Sequence, residues 1–278
     1  MPELPEIECV VRSLREVLNE ASIGGIRFFR SDLRWPVPIS EISSYCTNSP
    51  VHSITRVAKY ILINLGQGSL ILHLGMSGNV FSKTSSTPCV PHTHAIFEVK
   101  KMDGNNVFLH FVDPRRFGAI LFCTKRQLTL FPLFKHLGPD PLTAANLSSM
   151  LFEKSRGKKI AIKAFIMNSK NLVGVGNIYA NESLFLARIN PKRFASNLDF
   201  VEWEELTSCI KKTLTEAILA GGTTLKDYRT ISGENGLFKN RLLVYGRKNM
   251  ACKVCASTLT DTHLGGRATY FCPQCQAF

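Results

Sequence analysis

The sequence predicts an α+β multidomain protein: an N-terminal β-sandwich with one attached helix, a helical second half and a compact C-terminal cysteine unit. Three observations predict this fold class. Apolar residues recur at helical spacing over residues 5–18, strand patterns broken by turns fill residues 24–122, and helical patterns resume beyond residue 142. Pro132, Pro139 and Pro141 mark the change of pattern, so we expect a linker near residues 132–142.

Each element follows from its own local signal. The first helix runs from about Pro5 to Leu18, because proline suits the first turn of a helix. Strands are predicted at 69–74, 107–112 and 119–122, where glycine or proline bounds the apolar runs. Helices are predicted at about 143–154, 177–188 and 199–219, followed by a glycine-rich stretch from Gly221 to Gly236. We divide the chain into domains at 1–131, 132–242 and 243–278.

The charge balance narrows the class of partner. Lys and Arg number 34 against 21 acidic residues in 278, a formal charge of +13, which favours nucleic acid or an anionic membrane surface. No apolar run approaches the roughly 18 residues that span a bilayer. The acidic, proline-containing start is unlike a signal peptide. We therefore expect a cytosolic protein, a monomer by default, with nucleic acid as its partner.

Nine cysteines fall into two groups. Cys9, Cys46, Cys89, Cys123 and Cys209 are scattered, as small apolar residues are in a reducing compartment. The other four form Cys252-x2-Cys255 and Cys272-x2-Cys275, separated by 16 residues. Two such pairs can surround one structural zinc ion tetrahedrally, with a hairpin between them; two disulfides are the alternative, which conflicts with a cytosolic protein. The sequence thus predicts a zinc-ribbon hairpin.

Two segments favour contact with phosphates. Residues 154–170 carry six Lys or Arg, including Lys158 and Lys163, and residues 239–253 carry five; neither segment holds an acid. Such runs are often solvated faces, but in a chain of this charge they favour phosphate contact. The glycines before Asn177 form a turn that opens a helix, whose amides suit a phosphate, although a plain helix–helix turn also needs glycines.

The N-terminus offers a nucleophile. Removal of Met1 would leave Pro2 as a free secondary amine, which can attack an aldehyde-level carbon to form an iminium ion. The positive end of the following helix disfavours a nearby ammonium, and Glu3 is a candidate for proton transfer. The alternative is an ordinary start sequence with no catalytic role. We also expect Lys59 to lie on a strand, alternating with Ala58 and Tyr60.

Large side chains next to glycines suggest a further role. Met76 and Phe117 are predicted at turn tips, and Arg115 and Arg116 precede Phe117. Such residues usually pack peripherally, but in a basic protein they can enter a stack of bases.

Taken in order, these motifs resemble bacterial formamidopyrimidine-DNA glycosylase from end to end. The motifs are Met1-Pro2-Glu3-Leu4-Pro5-Glu6, Ala58-Lys59-Tyr60, His73-Leu74-Gly75-Met76-Ser77-Gly78, Asp113-Pro114-Arg115-Arg116-Phe117-Gly118, Val173-Gly174-Val175-Gly176-Asn177-Ile178-Tyr179-Ala180, Gly221-Gly222-Thr223-Thr224-Leu225, Val244-Tyr245-Gly246-Arg247 and the zinc ribbon with Arg267. Their combination is highly specific. The resemblance implies a β-sandwich, a helix–two-turns–helix domain and a zinc finger, with damaged double-stranded DNA between the two halves.

The resemblance also implies a chemistry. Pro2 would attack the sugar and expel an oxidised purine, Glu3 would assist opening of the sugar ring, and Glu6 would support the site. Lys59 and Arg267 match the positions assigned to proton donation in β- and δ-elimination, so the expected enzyme is a base-excision repair glycosylase and lyase. The alternatives are an oxidised-pyrimidine glycosylase, which typically lacks Leu4 and the Met/Arg/Phe set, and a non-catalytic zinc-ribbon DNA-binding protein.

The resemblance assigns further residues to the DNA. His73, His92, Arg115, Lys158 and Asn177 match DNA-contact positions. Met76, Arg115 and Phe117 look like the residues that fill the void left by a flipped base. The stretch from Gly221 to Gly236 looks like the loop that covers the extruded purine.

Overall fold

The computed structural model describes residues 2–88, 90–224 and 228–278, except for the side chain of Thr129. Cys89 and residues 225–227 of the predicted purine-covering loop therefore lie outside the described residues. The helices are α1 (Leu4–Val17), α2 (Ile39–Cys46), α3 (Leu147–Ser155), α4 (Ile162–Met167), α5 (Asn177–Leu186) and α6 (Phe200–Leu219). The strands are β1 (Ala21–Phe28), β2 (Ser49–Pro50), β3 (Ser53–Val57), β4 (Tyr60–Asn64), β5 (Gly68–His73), β6 (Asn79–Lys83), β7 (Thr93–Lys101), β8 (Asn106–Val112), β9 (Ala119–Thr124), β10 (Thr260–Leu264) and β11 (Arg267–Phe271).

The predicted elements are confirmed with small shifts at their ends. The N-terminal helix begins and ends one residue earlier than expected, and the three predicted strands correspond to β5, β8 and β9. Helix α3 begins at Leu147 rather than near residue 143, because Asn146 before it takes a left-handed conformation with φ of 53°. Helices α2 and α4 were not predicted; they have 8 and 6 residues, too few for a clear helical period.

The first compact unit runs to residue 135 and includes residues 220–237. It holds a five-stranded antiparallel sheet in the order β2-β1-β7-β8-β6 and a four-stranded antiparallel sheet in the order β3-β4-β5-β9. Ile23 and Phe97 from the first sheet share a core with Ile61 and Leu72 from the second, and α1 adds Val10 to it. The predicted β-sandwich with one attached helix is thereby confirmed.

The segment after α6 belongs to this first unit. Tyr228 and Ile231 are buried in the sandwich core, the backbone amide of Ser82 donates to the carbonyl of Ile231 at 3.2 Å, and that of Arg229 donates to Asn79 Oδ1 at 2.9 Å. These contacts explain why residues 220–237 belong to the first compact unit, although the sequence-based division places them in the second domain. The three-part division by sequence stays a prediction.

The second unit comprises residues 136–219 and 238–278. Its helical part packs around Trp203, whose ring meets that of Phe165 edge-on at 5.6 Å. At the C-terminus, β10 and β11 form a hairpin whose turn residues Gly265 and Gly266 have φ of 57° and 72°. Phe185 of α5 and Cys272 beside that hairpin belong to one small buried cluster. The helical domain and the C-terminal hairpin are confirmed. Among the described residues, no helix is long and apolar enough to cross a membrane.

Candidate active site and metal centre

The first turn of α1 carries the predicted nucleophile and its carboxylates. Pro2 is buried directly before Glu3, which is the N-cap residue of the helix. The backbone amide of Glu3 donates to Glu6 Oε2 at 2.7 Å in a capping-box arrangement. The other oxygen of Glu6 accepts the backbone amide of Thr223 at 2.8 Å. Glu3 and Glu6 are only 3% and 1% exposed, so the helix start is held rigidly by carboxylates that water hardly reaches.

Lys59 lies on a turn rather than on a strand. Val57 of β3 pairs with Tyr60 of β4, which leaves Ala58 and Lys59 as a two-residue hairpin turn. The expectation that Lys59 alternates along a strand is therefore wrong: the pairing register places the turn at these two residues. Ala58 has φ of 54° and is buried, whereas Lys59 is half-exposed.

A buried aspartate brings the predicted wedge residues together. Asp113 is fully buried and accepts hydrogen bonds from the Ser77 hydroxyl at 2.7 Å and from the Gly118 amide at 2.7 Å. Ser77 ends the turn that holds Met76, and Gly118 follows Phe117. The two loops are so close that a Cβ at Gly75 would lie 2.4 Å from the backbone of Phe117.

The exposed part of this loop pair presents an aromatic ring and a cation. Phe117 is 44% exposed, and the Arg115 guanidinium lies 5.0 Å from the centre of its ring. Met76 is half-buried on the neighbouring turn. The structure therefore assembles Met76, Arg115 and Phe117 on adjacent loops of one unit.

Two histidines predicted to contact DNA lie in different environments. His73 ends β5, its Nδ1 accepts the Gly75 amide at 3.2 Å, and its ring lies 4.8 Å from that of Tyr60. Burial, with the nearby positive charges of Arg34 and Lys59, lowers the pKa of His73 to about 4, so its imidazole is neutral at physiological pH. His92 is exposed, with φ of 66°, just before β7.

The four clustered cysteines have the geometry of a zinc site. Their sulfur atoms all lie within 4.8 Å of one another, with 3.4 Å between Cys255 and Cys272 and 3.9 Å between Cys252 and Cys275. A disulfide needs about 2.05 Å, whereas thiolates placed tetrahedrally about 2.3 Å from zinc lie roughly 3.8 Å apart. These cysteines hold one structural zinc ion, and the disulfide alternative is wrong.

Arg267 is the first residue of β11, and hydrogen bonds join this strand to helices α4 and α5 of the second unit. Arg267 is exposed, and the next carbonyl along the chain, that of Ala268, accepts hydrogen bonds from Lys163 Nζ at 2.9 Å and Asn177 Nδ2 at 3.0 Å. Lys163 Nζ also donates to Thr269 Oγ1 at 2.7 Å. Lys163 is 0% exposed. Lys163, although part of the basic run, is therefore used inside the protein, and phosphate contact by the exposed members of the run stays a prediction.

Comparison with known proteins agrees with this arrangement. Family models match residues 1–120 (formamidopyrimidine-DNA glycosylase N-terminal domain), 137–229 (formamidopyrimidine-DNA glycosylase H2TH domain) and 251–277 (zinc finger found in FPG and IleRS). The chain is 43% identical over 277 residues to formamidopyrimidine-DNA glycosylase of Marinomonas sp. (strain MWYL1), covering 100% of both chains. The chain belongs to the formamidopyrimidine-DNA glycosylase family.

Solved structures of this glycosylase family share the fold. A Lactococcus lactis FPG mutant, in complex with a DNA containing Fapy-dG, superposes with a TM-score of 0.90 at 28% identity, covering 100% of both chains. MutM in complex with DNA containing carbocyclic 8-oxo-G gives a TM-score of 0.88 at 29% identity, again over 100% of both chains. The predicted family is thus confirmed over the full length of the chain.

Several residues that organise this family member were not singled out from the sequence. Asp113 was noted only as part of a turn motif, although it joins two loops. Glu182 of α5 is 2% exposed and accepts the backbone amides of Leu243, Val244 and Tyr245 at 2.7–3.0 Å. Burial nevertheless raises the pKa of Glu182. A signal existed for Glu182, since it is an acid in an otherwise uncharged helix, and such a residue needs buried partners.

Proposed function

We propose that this chain is a base-excision repair enzyme that removes oxidised purines from duplex DNA and then cuts the strand at the resulting site. The observation that carries the proposal is the first turn of α1, where Pro2 directly precedes the N-cap Glu3 and the buried Glu6. Membership of the glycosylase family supports the substrate class, since a family member has been solved with 8-oxo-G DNA. The expected lesions are 8-oxoguanine and formamidopyrimidines.

The proposed reaction starts with the Pro2 nitrogen, freed by loss of Met1. It attacks C1′ of the damaged nucleotide, the glycosidic bond breaks with its electrons going to the base, and the departing base takes up a proton. Glu3 takes up the proton that the attacking nitrogen gives up and passes it to the ring oxygen as the C1′–O4′ bond breaks, which gives an iminium ion between Pro2 and C1′. The iminium withdraws electrons from C2′ and thereby makes the hydrogen on C2′ acidic. This hydrogen can then leave as a proton.

Strand cleavage follows in two eliminations. In β-elimination, the electrons of the C2′–H bond form a C2′–C3′ double bond, the C3′–O bond breaks, and Lys59 supplies a proton to the departing phosphate. In δ-elimination, loss of the C4′ proton breaks the C5′–O bond, with Arg267 as the proton donor. Water then hydrolyses the iminium. The product is a one-nucleotide gap with phosphate at both ends.

Recognition of the DNA is proposed for exposed basic residues, for loop residues and for the half-buried His73 and Asn177. The +13 charge favours a polyanion, and Met76, Arg115 and Phe117 on their adjacent loops suit the space left by an extruded base. His73, His92, Lys158 and Asn177 are proposed as further DNA contacts. We propose that the enzyme acts in the cytoplasm as a monomer.

Borohydride trapping tests the proposal. Reduction of the enzyme with a duplex containing 8-oxoguanine should give a stable adduct, and peptide mapping should place it on Pro2. A matched protein that keeps a residue before Pro2 should give no adduct, because the Pro2 nitrogen is then part of a peptide bond and cannot attack. An adduct on another residue, or binding without trapping in the processed enzyme, would contradict the mechanism.

Two alternatives have their own outcomes. Faster excision of thymine glycol than of 8-oxoguanine would favour an oxidised-pyrimidine glycosylase. Retention of Met1 in an intact-mass spectrum, together with DNA binding, would favour a non-catalytic zinc-ribbon DNA-binding protein.

A further inference from the structure

The turn that carries Lys59 has an unusual backbone. Ala58, the first of its two residues, has φ of 54°, in the left-handed region that non-glycine residues rarely adopt, and is only 6% exposed. Such a conformation persists only when surrounding contacts hold it, and it occurs preferentially at functional sites. The contacts that hold Ala58 therefore also determine where the Lys59 side chain starts.

A largely buried ion pair, with both residues of intermediate burial, links this turn to α1. Arg56 Nη1 donates to the carbonyl of Ala58 at 3.1 Å, and Arg56 Nε donates to Glu8 Oε2 at 2.8 Å. The side chains of Arg56 and Glu8 are only 6% and 13% exposed, so water competes weakly with these bonds. Glu8 lies in α1, five residues after Glu3. A continuous path of hydrogen bonds thus runs from the helix that follows Pro2 to the turn that carries Lys59.

We propose that the Glu8–Arg56 ion pair is a positioning element for β-elimination: it holds the Lys59 turn at a fixed place relative to the helix that begins beside Pro2. This inference rests on the proposed function, in which Pro2 carries the iminium and Lys59 donates the proton. Both groups must meet on one sugar, and a displacement of about 1 Å can cost on the order of 100-fold in rate. Arg56 bonds to the turn that carries Lys59, whereas iminium formation depends on Pro2 and Glu3. The loss of Arg56 should therefore affect elimination more than iminium formation.

The chain provides a matched control for this idea. Arg15 also reaches from α1 to β3, donating from Nε to the Ile54 carbonyl at 2.9 Å, but Ile54 lies three residues before the end of β3. Arg15→Gln therefore loosens the same helix–strand contact without removing the bond to Ala58. Arg56→Gln removes both the ion pair and the bond to the turn, whereas Arg56→Lys keeps a cation beside Glu8 but loses the forked geometry.

The experiment compares iminium formation with strand cleavage in single-turnover reactions. The substrates are an 8-oxoguanine duplex and a duplex with a preformed abasic site, and borohydride quenching measures the trapped fraction at each time. For Arg56→Gln we expect β-elimination to slow by about tenfold or more, while trapping changes by less than about twofold. The iminium should then accumulate before cleavage. Arg56→Lys should show a smaller effect, and Arg15→Gln should leave both rates within about twofold of the parent.

A double variant separates this inference from the proposed function. Arg56→Gln should slow elimination little further in a Lys59→Met background, because both changes act through the same amine. A full additional loss in that background would overturn the positioning role, as would equal loss of trapping and cleavage in Arg56→Gln. Parent-like elimination by Lys59→Met alone would instead refute the proposed role of Lys59. Thermal unfolding checks the fold of every variant, and Arg56→Lys carries the same comparison if Arg56→Gln does not fold.

Discussion

Lys163 and Lys158 are five residues apart in one basic run, yet the structure predicts opposite consequences for their loss. Lys163 is buried and makes two hydrogen bonds to β11, whereas Lys158 is exposed after α3. We expect Lys163→Met to lower the stability of the protein and Lys158→Met to weaken DNA binding. Methionine keeps most of the length and apolar volume of lysine in both variants, so the comparison isolates the amine.

The magnitude for Lys163→Met follows from its contacts. A hydrogen bond from a charged group contributes about 1.5–3 kcal/mol, and Lys163 makes two of them to β11. The Ala268 carbonyl keeps a second donor in Asn177, and the burial of an ammonium is itself costly, so we take the lower end, about 3 kcal/mol. For a chain of this size, that loss corresponds to a fall in Tm of about 6–12 °C.

The assays are calorimetry or fluorescence-monitored unfolding, together with DNA affinity measured across salt concentrations. Lys158→Met should leave Tm nearly unchanged and reduce the slope of log Kd against log salt by about 0.9, one phosphate contact. Lys163→Met should do the reverse. If Lys163→Met kept its Tm and flattened the salt dependence, the assignment of Lys163 to the interior would be wrong.

Three further outcomes follow from the buried polar groups. Glu182→Ala leaves three backbone amides without their acceptor and should lower the free energy of unfolding, measured in urea, by about 3 kcal/mol. Glu182→Gln should lower this free energy by less. Equal losses in the two variants would contradict the role of the Glu182 side-chain oxygens. The Tyr270 amide donates to Asn181 at 2.7 Å, and removal of zinc by a chelator should abolish its protection from hydrogen exchange. Amides of the β-sandwich should stay protected. Unchanged protection of the Tyr270 amide would refute a structural metal. Folding lowers the pKa of His73 from 6.5 to about 4, so the contribution of the neutral imidazole to stability is complete above pH 6.5 and is lost as the pH falls through 4. The parent should therefore lose more stability over this pH range than His73→Gln. An imidazole that titrates near 6.5 by NMR would contradict the burial of His73.

Local signals predicted the elements that carry the site. The cysteine spacing sufficed for the zinc centre, since ligand type and turn length determine that geometry almost alone. The first helix and its N-terminal residues followed from apolar spacing and from proline in the first turn. The glycines around Met76 and Phe117 indicated turns, and the structure places those turns side by side.

What sequence reasoning could not supply were partners distant in the chain. Lys163 bonds to residues about 105 positions away, and Thr223 is 217 positions from Glu6, so no local pattern records either pair. The place of Lys59 depended on a strand register that puts the hairpin turn at Ala58, a residue that rarely adopts a positive φ. Gln276 illustrates the same limit: it had no interpretation from sequence, yet it is fully buried and bonds to Ile189 and Cys272.

The two oxygens of Glu6 serve different parts of the chain, and this has a consequence for protein engineering. One oxygen accepts the amide of Glu3 and the other that of Thr223, while a Cβ at Gly222 would lie 3.2 Å from the Glu6 side chain on a backbone with φ of 86°. A proline at position 223 would remove a donor, and a larger residue at 222 would push on the carboxylate. Substitutions at residues 222 and 223 should therefore also affect the start of α1, because the Glu6 carboxylate joins the two segments.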